Sequence, residues 1–429
     1  MLGLDELPPV MRRNLLYEAG YSACAGVVSG LAMLAQVTVI GSLGGGATAV
    51  MLITAAMPAA SLTQPLWVEL ARRYRLKQMA LISGALRCLP LLLIGWVADP
   101  WLFAILVVTF YVFAAPLSLA VPSLYKYTYA DSHRGRIIGI LRMVQNGSSM
   151  PAMLASAWLM DLEPELYQVI YPLGGVVGLV GLFFYQQLLI PTDSPHDRRR
   201  SSERPTWRGI REVLAKDDNF RLFQATIFLT GAGFLMTRPV YVFLLADQFR
   251  LGQFETALLV QVMPLLLGAA TSPAWGAFID RTSPVAGRIA FALLGLVAYV
   301  LMFASFAAGW LLLAYVAAIV RGLVLGAAEL SMTTGNLYFS VHRERAALYE
   351  GIGSLLQGVR GLLMPVLGRL AFPFVGVSLF LLPAVLNVWS LWLSVILWRR
   401  DQAESPETAL ARRSMAEVHY RGESSEPDP

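Results

Sequence analysis

The sequence predicts an all-α polytopic membrane protein, twelve transmembrane helices in two pseudo-symmetric six-helix bundles, on three observations. Hydrophobic residues fill 56% of the 429 positions and charged residues only 14%, against roughly a quarter charged in a soluble domain. Mean hydropathy is +0.59, which requires many spans rather than one anchor. The apolar stretches are also continuous over the ~20 residues of a membrane helix, without the strand-by-strand alternation of a lipid-facing barrel. Finally, two signatures recur about half a chain apart. Pro65-Leu66-Trp67 running to Arg73 returns as Pro273-Ala274-Trp275 running to Arg281, at an offset of 208 residues. His133-Arg134-Gly135-Arg136 returns as His342-Arg343-Glu344-Arg345, at an offset of 209. Near-equal offsets imply duplication of a large unit, and in so apolar a chain they point to a transporter of two similar halves.

Each span has its own stop. Span 1 (15–42) ends in Gly44-Gly45-Gly46, span 2 (48–71) in the basic run Arg72 to Lys77, and span 3 (78–98) at Asp99-Pro100. Span 4 (101–125) meets Arg134 and Arg136, span 5 (136–160) the acidic Asp161, Glu163-Pro164 and Glu165, and span 6 (166–190) the linker that starts at Pro191. Glycine and proline punctuate these joints because one frees the backbone and the other withholds a donor. Spans 7 (220–246), 8 (255–279) and 9 (286–308) follow, with Ser283-Pro284 between the last two; spans 10 (310–339), 11 (346–370) and 12 (373–398) complete the set. The expected organisation is a bundle at 1–190, a cytoplasmic linker at 191–219, a second bundle at 220–400 and a cytoplasmic disordered tail at 401–429. Within the linker, WRGIREVLAKDDNF suits a short amphipathic helix at the inner surface. Met1 to Arg13 has neither the basic start nor the cleavage site of a signal peptide, so it is expected to be retained.

Basic residues occupy every second connection: Arg12-Arg13, Arg72 to Lys77, Arg134-Arg136, Arg198 to Arg211, Arg281-Arg288, Arg343-Arg345 and Arg399-Arg400. Arginine and lysine stay on the cytoplasmic side, which predicts an integral plasma (inner) membrane protein with both termini inside. The net charge of +5 is then an orientation signal; a nucleic-acid surface would gather its arginines on one soluble face. Cys24 and Cys88 lie in apolar runs and read as small apolar filler. The sequence contains no phosphate-binding Gly-x-x-x-x-Gly-Lys-Ser/Thr, no His-Glu-x-x-His, no paired CxxC and no nucleophile elbow. Neither ATP-driven transport nor membrane-embedded hydrolysis is supported, and no catalytic residue, cofactor or metal ligand is expected.

The chemistry falls on polar stripes. Glu18, Ser22, Ser29 and Gln36 lie within about 40° of one line on span 1. Tyr111, Ser118, Tyr125 and Tyr129 do the same on span 4, and Thr226, Thr230, Thr237 and Tyr241 on span 7 with Arg238 flanking. Span 10 carries Tyr315, Glu329, Thr333 and Asn336, with Arg321 on the flank. Hydroxyl and amide stripes also serve as interhelical glue, so the charges are more telling. A mid-bilayer arginine costs roughly 2.5–3.5 kcal/mol on insertion scales, and Arg87 and Arg321 sit mid-span. Arg142, Arg238 and Arg360 lie nearer an end, where snorkelling suffices. The surplus of arginine over buried acid leans towards an anionic or zwitterionic solute. All four histidines fall in loops or the tail, leaving Glu18 and Glu329 as the carboxylates able to carry a proton.

On these residues the chain resembles the major facilitator superfamily of secondary transporters. Gly276-x-x-x-Asp280-Arg281 is similar to that family's loop signature, whereas the first half has Val68 and Arg72 where its glycine and aspartate belong. Arg134, Arg136, Arg343 and Arg345 resemble its second cytoplasmic contact point. Gly147-x-x-x-Pro151 in span 5 and Gly361-x-x-x-Pro365 in span 11 are faintly like the kink of its exporters. The resemblance implies that spans 1, 4, 7 and 10 line a central cavity. Glu18, Gln36, Arg87, Tyr111, Tyr125, Arg238, Tyr241, Arg321, Glu329 and Asn336 then become solute or coupling residues, and Gly276, Asp280, Arg281, Arg134, Arg136, Arg343 and Arg345 gating residues. It implies a monomeric secondary transporter of a small organic solute, anionic or amphipathic, coupled to protons and working by alternating access. Proton-antiport multidrug efflux and a transporter-like receptor or assembly factor are the alternatives.

Overall fold

The computed structural model describes residues 8–63, 67, 76–129, 131–189, 207–339 and 346–403. Twelve long helices carry the chain: α1 (Pro9–Gly41), α2 (Ala47–Ser61), α3 (Leu76–Ile94), α4 (Pro100–Thr128), α5 (Asp131–Leu162) and α6 (Tyr167–Gln186), then α7 (Asp218–Asp247), α8 (Gln253–Ala257, a π-turn Leu258–Val262, then Met263–Arg281), α9 (Pro284–Ala308), α10 (Leu311–Phe339), α11 (Ala346–Val375) and α12 (Leu381–Ala403). No strand occurs among the described residues. Nine helical runs among them are long and apolar enough to cross a membrane, one of them spanning both α11 and α12, and α2 is a shorter apolar helix. Leu93, Leu312, Phe374 and Trp392 lie exposed on these helices. Such side chains are stable on an outer surface when lipid covers it.

Local chemistry explains the helix ends. Pro9 and Pro100 sit at first-turn positions, where a missing N–H costs nothing. Asp99 caps α4 by accepting from the N–H groups of Trp101 (2.9 Å) and Leu102 (2.8 Å), and Ser283 caps α9 through Ala286 N (3.1 Å). Two boundaries differ from expectation. Helix α1 starts at Pro9, so Arg12 and Arg13 belong to its first turns rather than to a loop. Helix α11 runs through both Pro365 and Pro373 to Val375; the break comes at Gly376, whose φ of +54° suits glycine, and α12 begins only at Leu381. Helix α5 likewise continues through Pro151.

Two compact units divide the chain, Met1–Arg200 with Leu245–Leu258, and Ser201–Leu244 with Leu259–Pro429. In the first, α1 packs on α5 and α6, α3 on α4 and α6, and α2 on α4. In the second, α9 packs on α10 and α12, and α8 on α10. The pairings 2–4, 3–4 and 3–6 thus recur as 8–10, 9–10 and 9–12, a repeat of the same local architecture. Close approach demands small residues at the α1–α5 seam, where a Cβ on Gly30 would lie 2.5 Å from the Ser149 carbonyl oxygen. The amphipathic segment of the linker is a helix, Trp207–Lys216. Its apolar face packs on the second unit: Val213 is 4% exposed and clusters with Phe220, Tyr349, Ile210 and Leu214.

Candidate functional site

In the first unit, polar chemistry converges on Glu18. The residue is 2% exposed in the third turn of α1, and its Oε2 accepts a hydrogen bond at 2.5 Å from the hydroxyl of Tyr129, the residue that ends α4. Three more tyrosines crowd the same region: Tyr125, 6.3 Å from Tyr129 ring to ring, and the Tyr21–Tyr185 pair at 4.7 Å. No arginine or lysine among the described residues forms an ion pair with Glu18. A buried carboxylate held by one hydroxyl and no cation is free to gain or lose a proton, which an ion-paired one resists. Arg87 of α3 is 8% exposed, its guanidinium 6.0 Å from the Phe110 ring and its Nε buried without a hydrogen bond. Phe110 in turn meets Tyr111 edge-on at 5.2 Å.

In the second unit the organising helix is α7. Arg321 of α10 reaches over it, with its guanidinium 5.0 Å from the Tyr241 ring and 5.4 Å from the Phe234 ring. Arg238 shares Phe234 from 5.5 Å. Arg321 is 8% exposed, and its Nη1 and the Tyr241 hydroxyl are both buried without a hydrogen-bond partner. An idle charged donor beside an idle hydroxyl is costly to keep in an apolar interior. Aromatic faces offset part of that cost. Nearer the start of α7, Gln224 donates from Nε2 to Asn336 Oδ1 at 2.7 Å.

The structure disposes the sequence-predicted residues unevenly. Glu18, Gln36, Arg87, Tyr241, Arg321 and Asn336 are buried, while Tyr111, Tyr125 and Arg238 are half-buried. Glu329, Asp280, Arg134 and Arg136 lie on described helices with side chains outside the described set, and Arg343 and Arg345 fall outside the described residues. Gly276 lies in α8 with open space around an added Cβ, and Arg281 is exposed at that helix's end. Arg142 is exposed. Arg360 is not: it is 6% exposed, and Nη1 donates to the Ile227 carbonyl at 2.6 Å. Arg288, read from sequence as a loop charge, is 1% exposed inside α9. It donates from Nη2 to Thr226 O (2.8 Å) and Thr230 Oγ1 (2.7 Å), and from Nε to Thr226 Oγ1 (3.3 Å). Those two threonines of the α7 stripe therefore bind a neighbouring helix. The signal that could have found Arg288 is its position: Pro284 at a helix start places it inside the first turns, on the face its threonine partners need.

A family model described as the Major Facilitator Superfamily matches residues 19–365. The chain belongs to the Major Facilitator Superfamily. It is accordingly a membrane transporter and not an enzyme. Among solved structures, a point mutant of the nucleoside transporter NupG aligns at TM-score 0.67 and 14% identity over 89% of this chain and 99% of its own. A POT family transporter in complex with 5-aminolevulinic acid aligns at 0.66 and 12% identity, over 92% and 96%. A bacterial homolog to the human lysosomal transporter Spinster, in an inward-facing and unoccupied conformation, aligns at 0.60 and 12%, over 97% and 98%. At these identities the likeness is one of fold. No curated protein matches the chain.

Proposed function

We propose that this superfamily member is a proton-coupled secondary transporter of a small organic anion or zwitterion, working by alternating access. It resides in the plasma (inner) membrane as a monomer with both termini cytoplasmic. The observation that carries the reading is Arg321, a buried guanidinium whose Nη1 has no partner, beside the unpartnered hydroxyl of Tyr241. A carboxylate or phosphate group entering there receives a charge-assisted bond from Arg321 and a second bond from Tyr241, and both groups gain what the empty state lacks. Glu18 supports the coupling role: it is a buried acid with no cationic partner among the described residues, anchored by Tyr129. Arg87, Tyr111, Tyr125, Arg238, Gln36, Glu329 and Asn336 complete the proposed polar set. Gly276, Asp280 and Arg281, with Arg134, Arg136, Arg343 and Arg345, are the proposed gating residues.

The test is uptake and efflux of a mixed panel of anionic, zwitterionic, neutral and cationic metabolites by proteoliposomes, with and without an imposed proton gradient. The expected result is gradient-driven movement of anionic or zwitterionic members only. Transport restricted to cations or neutral hydrophobes overturns the solute class, and accumulation indifferent to the proton gradient overturns the coupling.

A further inference from the structure

The two other buried arginines of the second unit differ in one respect. Arg288 is bonded through Nε and Nη2 to Thr226 and Thr230, and its guanidinium also lies 4.6 Å from the Phe291 ring. It is a fixed background charge. Arg360 spends Nη1 on Ile227 but keeps Nε buried and without a partner. Among the described residues neither arginine forms an ion pair, and no carboxylate is buried in this unit. The Arg360 guanidinium lies directly over Gly231, where an added Cβ would come within 2.1 Å of Cζ and Nη1. Glycine at that position makes room for the cation.

Gly231, Phe234, Arg238 and Tyr241 fall within an arc of about 80° on α7, at 100° per residue. Arg360 therefore occupies the same face of α7 as Arg321, which stacks on Phe234 and Tyr241. The Gly231 level and the midpoint of Phe234 and Tyr241 are roughly 10 Å apart at 1.5 Å per residue. Tyr299 of α9, 7% exposed, lies within electrostatic range of both cations. Two guanidiniums with idle donors, Arg321 of α10 and Arg360 of α11, thus lie in series against one face of α7, with Arg288 raising the positive potential beside Arg360.

We propose that Arg360 forms a second anion-binding station in this unit, about 10 Å along α7 from the Arg321 station and taking a carboxylate or phosphate group. Resting on the anion-transport reading above, it deepens that reading: the anionic group of the solute has two successive positions along α7 rather than one. Inorganic phosphate is a suitable probe because it presents tetrahedral oxygens to the planar donors of arginine.

The experiment titrates inorganic phosphate calorimetrically into the full-length protein in lipid nanodiscs, using wild type, Arg321→Gln, Arg360→Gln, Arg360→Lys and Gly231→Ala. Two bound phosphates are expected in wild type and one in each glutamine variant. Gly231→Ala leaves every arginine in place yet pushes the Arg360 guanidinium aside, so it also binds one. Arg360→Lys keeps the charge without the fork and weakens the second site at least ~10-fold. Wild-type stoichiometry in Gly231→Ala together with wild-type second-site affinity in Arg360→Lys overturns the station even if Arg360→Gln fails to fold. Binding that needs Arg360 but not Arg321 overturns the Arg321 solute site and keeps this one; binding that needs Arg321 alone does the reverse. No phosphate binding in any variant removes both.

Discussion

Replacing Arg321 with glutamine removes the one cation among the described residues that stacks on both Phe234 and Tyr241. If the idle Nη1 and its neighbour on the same fork each donate to a solute anion, two charge-assisted bonds disappear. Such bonds are worth about 1.5–3 kcal/mol each. The lower bound for the pair is about 3 kcal/mol, roughly a 10²-fold fall in kcat/KM. Lysine keeps the charge but loses the planar fork and most of the stacking, so it should fall between, near tenfold. Tyr241→Phe removes one neutral hydroxyl and should cost about 1 kcal/mol, close to fivefold. Folding is not expected to suffer: an unpaired cation costs roughly 2.5–3.5 kcal/mol in mid-bilayer, so the neutral variant should melt at or above the wild-type temperature. The assay is initial uptake of organic anions by proteoliposomes at matched protein incorporation, with the melting temperature taken on the same preparations. Wild-type anion uptake in Arg321→Gln, or an equal fall for neutral solutes, refutes the assignment.

Glu18→Gln should abolish proton-driven accumulation while sparing downhill exchange, measured with and without an imposed gradient; Tyr129→Phe, which removes the 2.5 Å bond to Glu18, should shift the pH dependence of accumulation without abolishing it. Asp280→Asn at the end of α8 should slow turnover at unchanged solute affinity, because the proposed latch acts on the conformational equilibrium; unaltered turnover would reduce it to an orientation signal. Gly30→Ala forces a methyl to within 2.5 Å of the Ser149 carbonyl and should destabilise the protein by about 1–3 kcal/mol. Gly147→Ala, inside α5 with nothing within 4 Å of the new Cβ, should hold or raise the melting temperature, because alanine removes the entropy cost of a helical glycine.

Twelve helices were legible in the sequence because the membrane imposes a one-dimensional rule: a backbone crossing lipid must satisfy itself, so each span is a long apolar run with its stop written locally. Asp99-Pro100 and Ser283-Pro284 needed no tertiary information to be read as helix starts, and both cap through their own side chains. Pro373 misled for the same local reason. Proline predicts a break, yet α11 carries it and breaks at Gly376, where φ turns positive. The burial of Arg87 and Arg321 was legible too, since a charge in mid-span is conspicuous by its cost, and that of Glu18 from its place on the polar stripe of span 1. What those charges touch was not. Periodicity placed Tyr129 on a polar stripe of its own helix, but only the packing of α4 against α1 aims its hydroxyl at Glu18. Arg288 was misread as a loop charge and Arg360 as a snorkelling one because a charge near a span end can turn outwards or inwards, and that choice depends on the neighbours. Here Thr226, Ile227 and Thr230 of α7 offer oxygens towards the interior, and Gly231 leaves room beside them. Composition and period determine which residues enter the membrane; which buried donors are answered by protein and which stand idle is decided by helix packing, because a hydrogen bond needs a partner within about 3 Å.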